Sequence, residues 1–341
     1  MQKGLFVSTE LFEPSLRDEA WREITRPFFD VTPGTGVDEI TLEGSLKSQP
    51  IGTLLIGPTT YNFQQYNRNR RIILQSGLDH YLLQLFLAGT LKGDCDGRAI
   101  SARPGDIGVF DLARPFMSGV SPGSTISVML PRERVDKASG GRSLHGLVLK
   151  AGDTFTRLLA NFITSLSSMA SEMSDAEVLA IEEPAINLLA AGIARREVDW
   201  MPEESALAQI LRQRILEFID ANLSMRELGP DFLLHYFRVS RAHLYRMFAV
   251  DGGVATVVRD RRLDAAYRDL VRASGPVRSI TEIALDLGFS SSGQFSRAFR
   301  ERFSVTPSEA RQERSLLPLV DLRISGLQTH FAMHSQKPGG L

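Results

Sequence analysis

Two segments in the last third of the chain repeat one design at an offset of 51 residues, and no other feature restricts the possible folds as strongly. In the second copy, Ser279-Ile280-Thr281-Glu282 has the spacing of a capping box, in which serine hydroxyl and glutamate carboxylate each accept from the other's backbone N–H at a helix start. Ile283 and Leu287 follow as a one-turn apolar pair, and Ala284 leaves room for a close helix crossing. Gly288 suits the left-handed backbone that ends a helix sharply. After a turn through Phe289 and Ser290, Phe295, Phe299 and Phe303 fall on one stripe of a second helix. Gly293, Gln294, Arg297 and Arg300 fall on its other side. The first copy places Leu233, Val239, Leu244 and Phe248 at the equivalent apolar positions, with Ser240 as a natural N-cap. Arg246 precedes Phe248 by two residues, as Arg297 precedes Phe299. This pattern predicts two units of helix, tight turn and second helix, apolar inside and basic outside.

Between the copies, Val254 to Ala273 contains neither Gly nor Pro and carries Val257, Val258, Leu263, Ala266 and Leu270 at roughly helical spacing. A connecting helix of about 18 residues is about 27 Å long. That length suits holding two helices in successive major-groove segments, which recur every ~34 Å.

The net charge of −1 hides an asymmetry. Residues 205–315 hold 17 Arg and 13 acidic residues, a net of +4, while the remainder is net −5. Every positive charge in that segment is arginine, which suits bidentate contact with phosphate and with guanine edges. A solvated basic face would give a similar count.

The chain of 341 residues is long enough for two domains. From about Leu42 to Leu130, short apolar runs alternate with Gly, Pro, Asn and Asp, as in a many-stranded β structure. Strands are expected at Gly52–Gly57, Tyr81–Leu87 and Asp106–Asp111, and turns at Gly93–Gly97 and Arg103–Asp106. After Lys150 the period becomes helical, with Phe155, Leu158, Leu159, Phe162, Ile163 and Leu166 on one helix. A second helix starts at the capping box Ser174-Asp175-Ala176-Glu177 and runs through Leu189. These two helices either cover the sheet or pair two subunits. The break at Pro202 marks a linker. The expected organisation is a domain over 1–200, a linker over 201–206, a second domain over 207–315 and a loosely structured tail over 316–341.

The single cysteine, Cys95, excludes an intramolecular disulfide framework and fits a reducing compartment. No segment reads as a signal peptide or as a membrane span, so a cytoplasmic location is expected, with no membrane contact. Residues 1–200 contain only His80 and His145, 65 residues apart, which argues against a metal site and against a metalloenzyme. No P-loop, nucleophile elbow or paired-Cys motif is present, so neither enzymatic activity nor a cofactor is expected. Arg70, Arg71, Arg98 and Arg114 could meet an anionic ligand, although solvated or salt-bridged arginines read the same way. A module that only binds a partner protein is the remaining alternative.

Three stretches carry a resemblance. Arg261-Arg262-Leu263-Asp264-Ala265-Ala266-Tyr267-Arg268-Asp269-Leu270, the run from Ile280 to Phe299 and the ending Phe303-Ser304-Val305-Thr306-Pro307-Ser308-Glu309-Ala310-Arg311 resemble the DNA-binding domain of the AraC/XylS family of transcription regulators over about 100 residues. The first unit departs from the family at Leu234, where a small alanine is typical, and at Arg238, where glycine often ends the helix. More weakly, Tyr81 to Gly89, Pro104-Gly105-Asp106-Ile107 and Asp111-Leu112-Ala113-Arg114-Pro115 resemble the cupin-like N-terminal domain of some AraC relatives, which senses a small molecule or mediates dimerisation.

The resemblance implies a multidomain α+β chain: an N-terminal small β-barrel or sandwich, cupin-like, with two following helices, and a C-terminal all-α double helix-turn-helix domain. It implies a sequence-specific DNA-binding regulator, an activator by family habit, with double-stranded DNA, RNA polymerase, a small-molecule effector and a second copy as partners. The family's base-reading positions fall on Ala242, Tyr245 and Arg246 in the first unit and on Gly293, Gln294 and Arg297 in the second. Ala242 and Gly293 offer only close approach or methyl contact, so Arg246, Gln294 and Arg297 are expected to carry most hydrogen-bond readout. Tyr245 could instead be half-buried. Ser240, Arg241, His243, Ser291 and Arg300 are candidates for DNA-backbone contact or capping.

Overall fold

The computed structural model describes residues 4–34, 41–139, 143–194, 206–271 and 278–316. The chain forms two compact units, one built on Met1–Trp200 and one on Met201–Leu319. The expected linker lies outside the described residues except for Ala206, which already belongs to a helix, and the expected tail lies outside them beyond Leu316.

The strands of the N-terminal unit are, in chain order, β1 (Leu5–Ser8), β2 (Asp30–Pro33), β3 (Gly44–Ile51), β4 (Leu54–Tyr61), β5 (Gln64–Arg68) and β6 (His80–Ala88). They continue with β7 (Leu91–Cys95), β8 (Arg98–Ala102), β9 (Ile107–Asp111), β10 (Phe116–Val120), β11 (Gly123–Pro131) and β12 (Leu147–Leu149). Five helices accompany them: α1 (Arg17–Thr25), α2 (Arg70–Ser76), α3 (Arg132–Ser139), α4 (Thr154–Met169) and α5 (Asp175–Ala194). A seven-stranded sheet runs β1-β3-β4-β11-β6-β9-β12 and a five-stranded sheet runs β2-β5-β10-β7-β8, with antiparallel pairing throughout. The two sheets are open rather than closed into a barrel, which settles the architecture as a sandwich.

Side chains alternate across a strand, and here both faces of the larger sheet are buried. Leu54, Ile56, Leu83, Val109 and Val128 face α3, α4 and α5, which contribute Val135, Leu159, Ile163, Ile186 and Leu189. Leu55, Leu82, Phe86, Phe110 and Met129 point the other way, into a core shared with Val31, Leu91, Ile100, Phe116 and Val120 of the smaller sheet and with Trp21 and Ile24 of α1. A strand buried on both faces reads as a continuous apolar run, which is the pattern of Tyr81 to Leu87. Helices α4 and α5 therefore do cover the sheet. The capping box at Ser174 is present, Glu177 N–H donating to Ser174 Oγ at 3.4 Å and Ser174 N–H to Glu177 Oε2 at 2.8 Å.

Several boundaries differ from expectation. Gly52, at φ 61°, and Thr53 form the turn before β4 rather than its start, and β9 begins one residue after Asp106. Gly93 and Asp94 are strand residues, because the reversal needs only the positive-φ pair Asp96 (57°) and Gly97 (86°) of a two-residue hairpin. Strands β1, β2 and β12 and helices α1 and α3 lie outside the regions assigned to regular structure, while α2, capped by Asn69 and ended by Gly77 at φ 60°, interrupts the stretch read as strands alone.

Two buried charges tie the strand ends together. The fully buried Arg68 guanidinium donates to the carbonyls of Leu112 (2.8 Å), Pro27 (3.0 Å) and Phe28 (2.6 Å) and to Ser76 Oγ (3.1 Å). Burial brings its pKa down to about 9. Asp111, also buried, accepts from Arg132 and from the Ala113 N–H (2.7 Å). Beside it His145 Nδ1 accepts the Asp111 N–H at 3.0 Å, so the ring proton sits on Nε2, which faces Pro115 O at 3.2 Å. Burial, then the nearby Arg114 cation, lowers the His145 pKa. Arg114 itself is paired with Asp96 and bonds Ser143 Oγ at 2.8 Å. The Cys95 thiol is buried in the inner core, which pushes its pKa up to about 12.

Because the folded chain resists protonation of His145 while the unfolded chain takes up that proton near pH ~6.5, stability is lost as pH falls through that value. The urea midpoint followed by tryptophan fluorescence, which reports Trp21 and Trp200, should drop between pH 7.5 and 5.5. His145→Gln should flatten that dependence, by at most about 1.4 kcal/mol per pH unit. An unchanged slope would show that another group titrates.

Candidate nucleic-acid interface

The C-terminal unit is all helical: α6 (Ala206–Ala221), α7 (Pro230–Phe237), α8 (Arg241–Met247), α9 (Val254–Val271), α10 (Ile280–Asp286), α11 (Ser292–Phe303) and α12 (Pro307–Leu316). The connecting helix expected over 254–273 is α9, 18 residues long. Residues 272 and 273 lie outside those described.

In the first unit, α7 starts with Pro230 at its first turn and ends at Arg238, whose φ of 53° is left-handed although it carries a Cβ. The Arg238 and Val239 N–H groups both return to Leu234 O. Ser240 then caps α8, its Oγ accepting the His243 N–H at 3.2 Å. Leu233, Leu244 and Phe248 are buried with Ile215 and Ile219 of α6. In the second unit the Ser279–Glu282 capping box is complete, at 3.1 Å and 2.7 Å. Gly288 takes φ 75°, the Phe289 N–H returns to Ala284 O at 3.0 Å, and Ser291 Oγ accepts the Gln294 N–H at 3.2 Å.

These bonds refine the repeat. Leu233, Leu234 and Arg238 correspond to Ile283, Ala284 and Gly288 at an offset of 50, while Ser240, Leu244, Arg246 and Phe248 correspond to Ser291, Phe295, Arg297 and Phe299 at 51. The second turn is one residue longer, Phe289-Ser290 standing where Val239 stands alone. Leu234 is only half-buried, so its size is accommodated, whereas Ala284 is fully buried.

The proposed readers share one side of each second helix. Ala242, Tyr245 and Arg246 are exposed on α8, and Gly293, Gln294 and Arg297 on α11, opposite Leu244 and the stripe of Phe295, Phe299 and Phe303. Tyr245 is 45% exposed, with the Arg241 guanidinium 5.9 Å from its ring centre. Ser290 Oγ donates to Gln294 Oε1 at 2.5 Å and orients that amide. Arg241 pairs with Asp231 at 2.7 Å, His243 is half-buried and Arg300 is exposed.

Counting arginines overstated the surplus of free cations. Arg212, Arg259, Arg261, Arg278 and Arg302 are engaged with acidic partners, and Arg262 with carbonyls. Among the described residues, no ion pair engages Arg246 or Arg297. Sequence reasoning missed the inward polar side of α9, where Arg262 and the buried Asp264 lie. The sole signal was the pair Asp260 and Asp264, one helical turn apart and facing Arg302.

No group of three or more His, Cys, Asp or Glu among the described residues is placed to hold a metal ion, and none of the described helices is long and apolar enough to cross a membrane.

A strand sandwich joined in one chain to a pair of helix-turn-helix units defines a DNA-binding transcription regulator. A helix-turn-helix domain family matches residues 233–313, and an AraC-binding-like domain family matches residues 38–192. The XylDLEGF operon transcriptional activator 2 of Pseudomonas putida is 31% identical over 121 residues, which are 35% of this chain and 76% of that protein. The chain belongs to the AraC/XylS family of transcription regulators. The transcriptional activator NphR of a Rhodococcus species is 23% identical over 275 residues, covering 78% of this chain and 79% of that one. Against another XylDLEGF operon transcriptional activator of Pseudomonas putida the chain spans about a third of the relative's length, 34% identical over 103 residues. The crystal structure of the AraC-like transcriptional activator CuxR has the same fold, with a TM-score of 0.53 at 24% identity over 78% of this chain and 96% of that one.

A left-handed backbone costs a residue with a Cβ ~1–2 kcal/mol. Arg238→Gly should therefore raise the stability of the helical unit by about 1 kcal/mol, read as a higher urea midpoint of its helix signal. Gly288→Ala should lower it, since its new Cβ would stand 2.7 Å from the Arg262 guanidinium carbon.

Proposed function

We propose that this protein activates transcription by reading two successive major-groove segments of double-stranded DNA with α8 and α11. The observation that carries the reading is the pair Arg246 and Arg297: exposed, at matching positions of the two units, and without the acidic partners that engage so many of their neighbours. A guanidinium held this way offers guanine O6 and N7 a bidentate contact. Gln294 supplies an amide suited to adenine, Tyr245 a ring for base or sugar, and Ala242 and Gly293 the clearance that lets each helix approach. Ser240 and Ser291 cap α8 and α11, so the helix starts beside them, with His243, Arg241 and Arg300, are placed for phosphate. The exposed Arg241–Asp231 pair is weak enough to exchange for a phosphate. Activation, with RNA polymerase as partner, rests on the printed names of the relatives and on the family. The role is regulatory rather than enzymatic, and its setting is the cytoplasm.

The N-terminal sandwich suits effector control. Between its sheets lies a cavity of about 70 Å³ whose lining includes Trp21, Phe28, Phe29, Leu82 and Met129. Gly57 and Ser127 also line it, with the backbone of Lys47 packed closely against Gly57. Tyr61 is one of the lining residues, and its Oη is buried without a hydrogen-bond partner, a costly arrangement unless a ligand that reaches it supplies one. The effector that fits is a small, largely apolar molecule with one hydrogen-bonding group. A benzene-sized ring needs roughly twice this volume, ~150 Å³, so an aromatic effector would part the sheets as it enters. A second copy would pair through the outer side of α4, where Leu158 is 54% exposed beside Asn161 and Ser165. Sedimentation of residues 1–200 measures that association directly.

Arg297→Ala should cost ~1–3 kcal/mol at one base position and relax the preference there, measured by anisotropy on a set of single-base operator variants. Equal loss on specific and random DNA would reassign Arg297 to phosphate. For the cavity, thermal shifts against a panel of small phenols, aromatic alcohols and hydrocarbons should favour members carrying one hydroxyl. Tyr61→Phe should erase that preference and leave DNA affinity without effector intact.

A further inference from the structure

Helix α9 holds a polar lock that joins the two reading units. Arg262 sends Nε to Leu223 O at 3.1 Å and Nη2 to Met225 O at 2.5 Å, both in the loop between α6 and α7 of the first unit. The same guanidinium sends Nη1 to Gly288 O at 3.4 Å, the carbonyl of the left-handed residue in the turn of the second unit. Its planar fork thus touches both units at once, which a lysine ammonium cannot do with the same geometry. Ion pairs also hold α9 to its neighbours: Arg261 to Asp220 of α6 at 3.1 Å, and Arg302 of α11 to Asp260 and, at 2.8 Å, to the buried Asp264.

We propose that Arg262 is a positioning residue that fixes the rotational phase between α8 and α11, so that the protein accepts one spacing between its two DNA half-elements. This rests on the two-segment reading above. The apolar contacts of α9 set the distance between the units, and packing alone tolerates small rotations. Three directional hydrogen bonds from one rigid group to two units remove that freedom. A one-base-pair insertion turns one half-element by about 35° and moves it by ~3.4 Å, a displacement the locked pair of helices cannot follow.

The test uses the full chain and a duplex that it selects from a random pool, with the half-elements mapped by base substitution. Wild type should lose at least ~50-fold in affinity when one base pair is inserted or deleted between the half-elements. R262M, which keeps the apolar stem, should bind the native spacing about 10-fold more weakly and show less than about a 5-fold difference among the three spacings. R262K should fall between them, and it replaces R262M if that variant lacks the wild-type helix signal. A folded variant that keeps the wild-type spacing penalty, at unchanged or uniformly reduced affinity, overturns the proposal. If base changes in one half-element leave wild-type affinity unchanged, only one unit reads DNA. The two-segment reading then fails, and the proposal falls with it.

Discussion

Helix α9 lies in two hydrophobic cores in succession. Val254 and Val258 complete the core of Ile215, Leu233, Leu244 and Phe248, while Tyr267, two turns further on, packs against both Phe299 and Phe303, ring centres 5.9 and 4.8 Å away. Neither set of short helices buries enough apolar surface by itself; α7, α8 and α10 have eight residues or fewer, too short to be stable alone. Each is held by what it packs on, and α9 is common to both. The placement of every exposed side chain on α8 and α11 descends from that one rod.

This double duty also explains why the sequence of α9 reads as only roughly periodic. An amphipathic stripe belongs to a helix with one inner side; here the buried positions shift around the axis between Val258 and Leu263. The polar inner residues are harder still to see. Arg262 looks like a solvated arginine until the loop carbonyls of Leu223 and Met225 are placed beside it. The caps, by contrast, were legible because they are local: Ser240, Ser279 and Ser291 bond within three residues of themselves. The one-residue difference between the two turns was not, since a single offset fits most of the repeat and only the hydrogen bonds to Leu234 O and Ala284 O separate the two registers.

In the N-terminal unit the legible part was again the part with a clear period. The runs around Leu54, Leu83 and Val109 announced strands, and burial on both faces accounts for their lack of alternation. Helix α1, Arg17-Asp18-Glu19-Ala20-Trp21-Arg22-Glu23-Ile24-Thr25, is short and mostly charged, and its few apolar residues gain their meaning only from the inner core they reach. Arg68 is the extreme case: an arginine at the end of a polar strand, fully buried because three carbonyls and a hydroxyl converge on it. The cavity follows a related logic. Gly57 and Ser127 pair across β4 and β11 on the face that carries Met129 and Tyr61, and the backbone of Lys47 fills the place a side chain at Gly57 would take.

Cys95 lies on the innermost strand face with its thiol pushed up to about 12, so thiol reagents at neutral pH find neither an accessible sulfur nor a thiolate. It is the single cysteine in the chain. A cysteine introduced at an exposed position of α8 or α11, such as Ala242 or Gly293, would be the one reactive thiol in an otherwise native protein. A fluorophore, spin label or DNA crosslinker could then be attached beside the groove without first replacing Cys95.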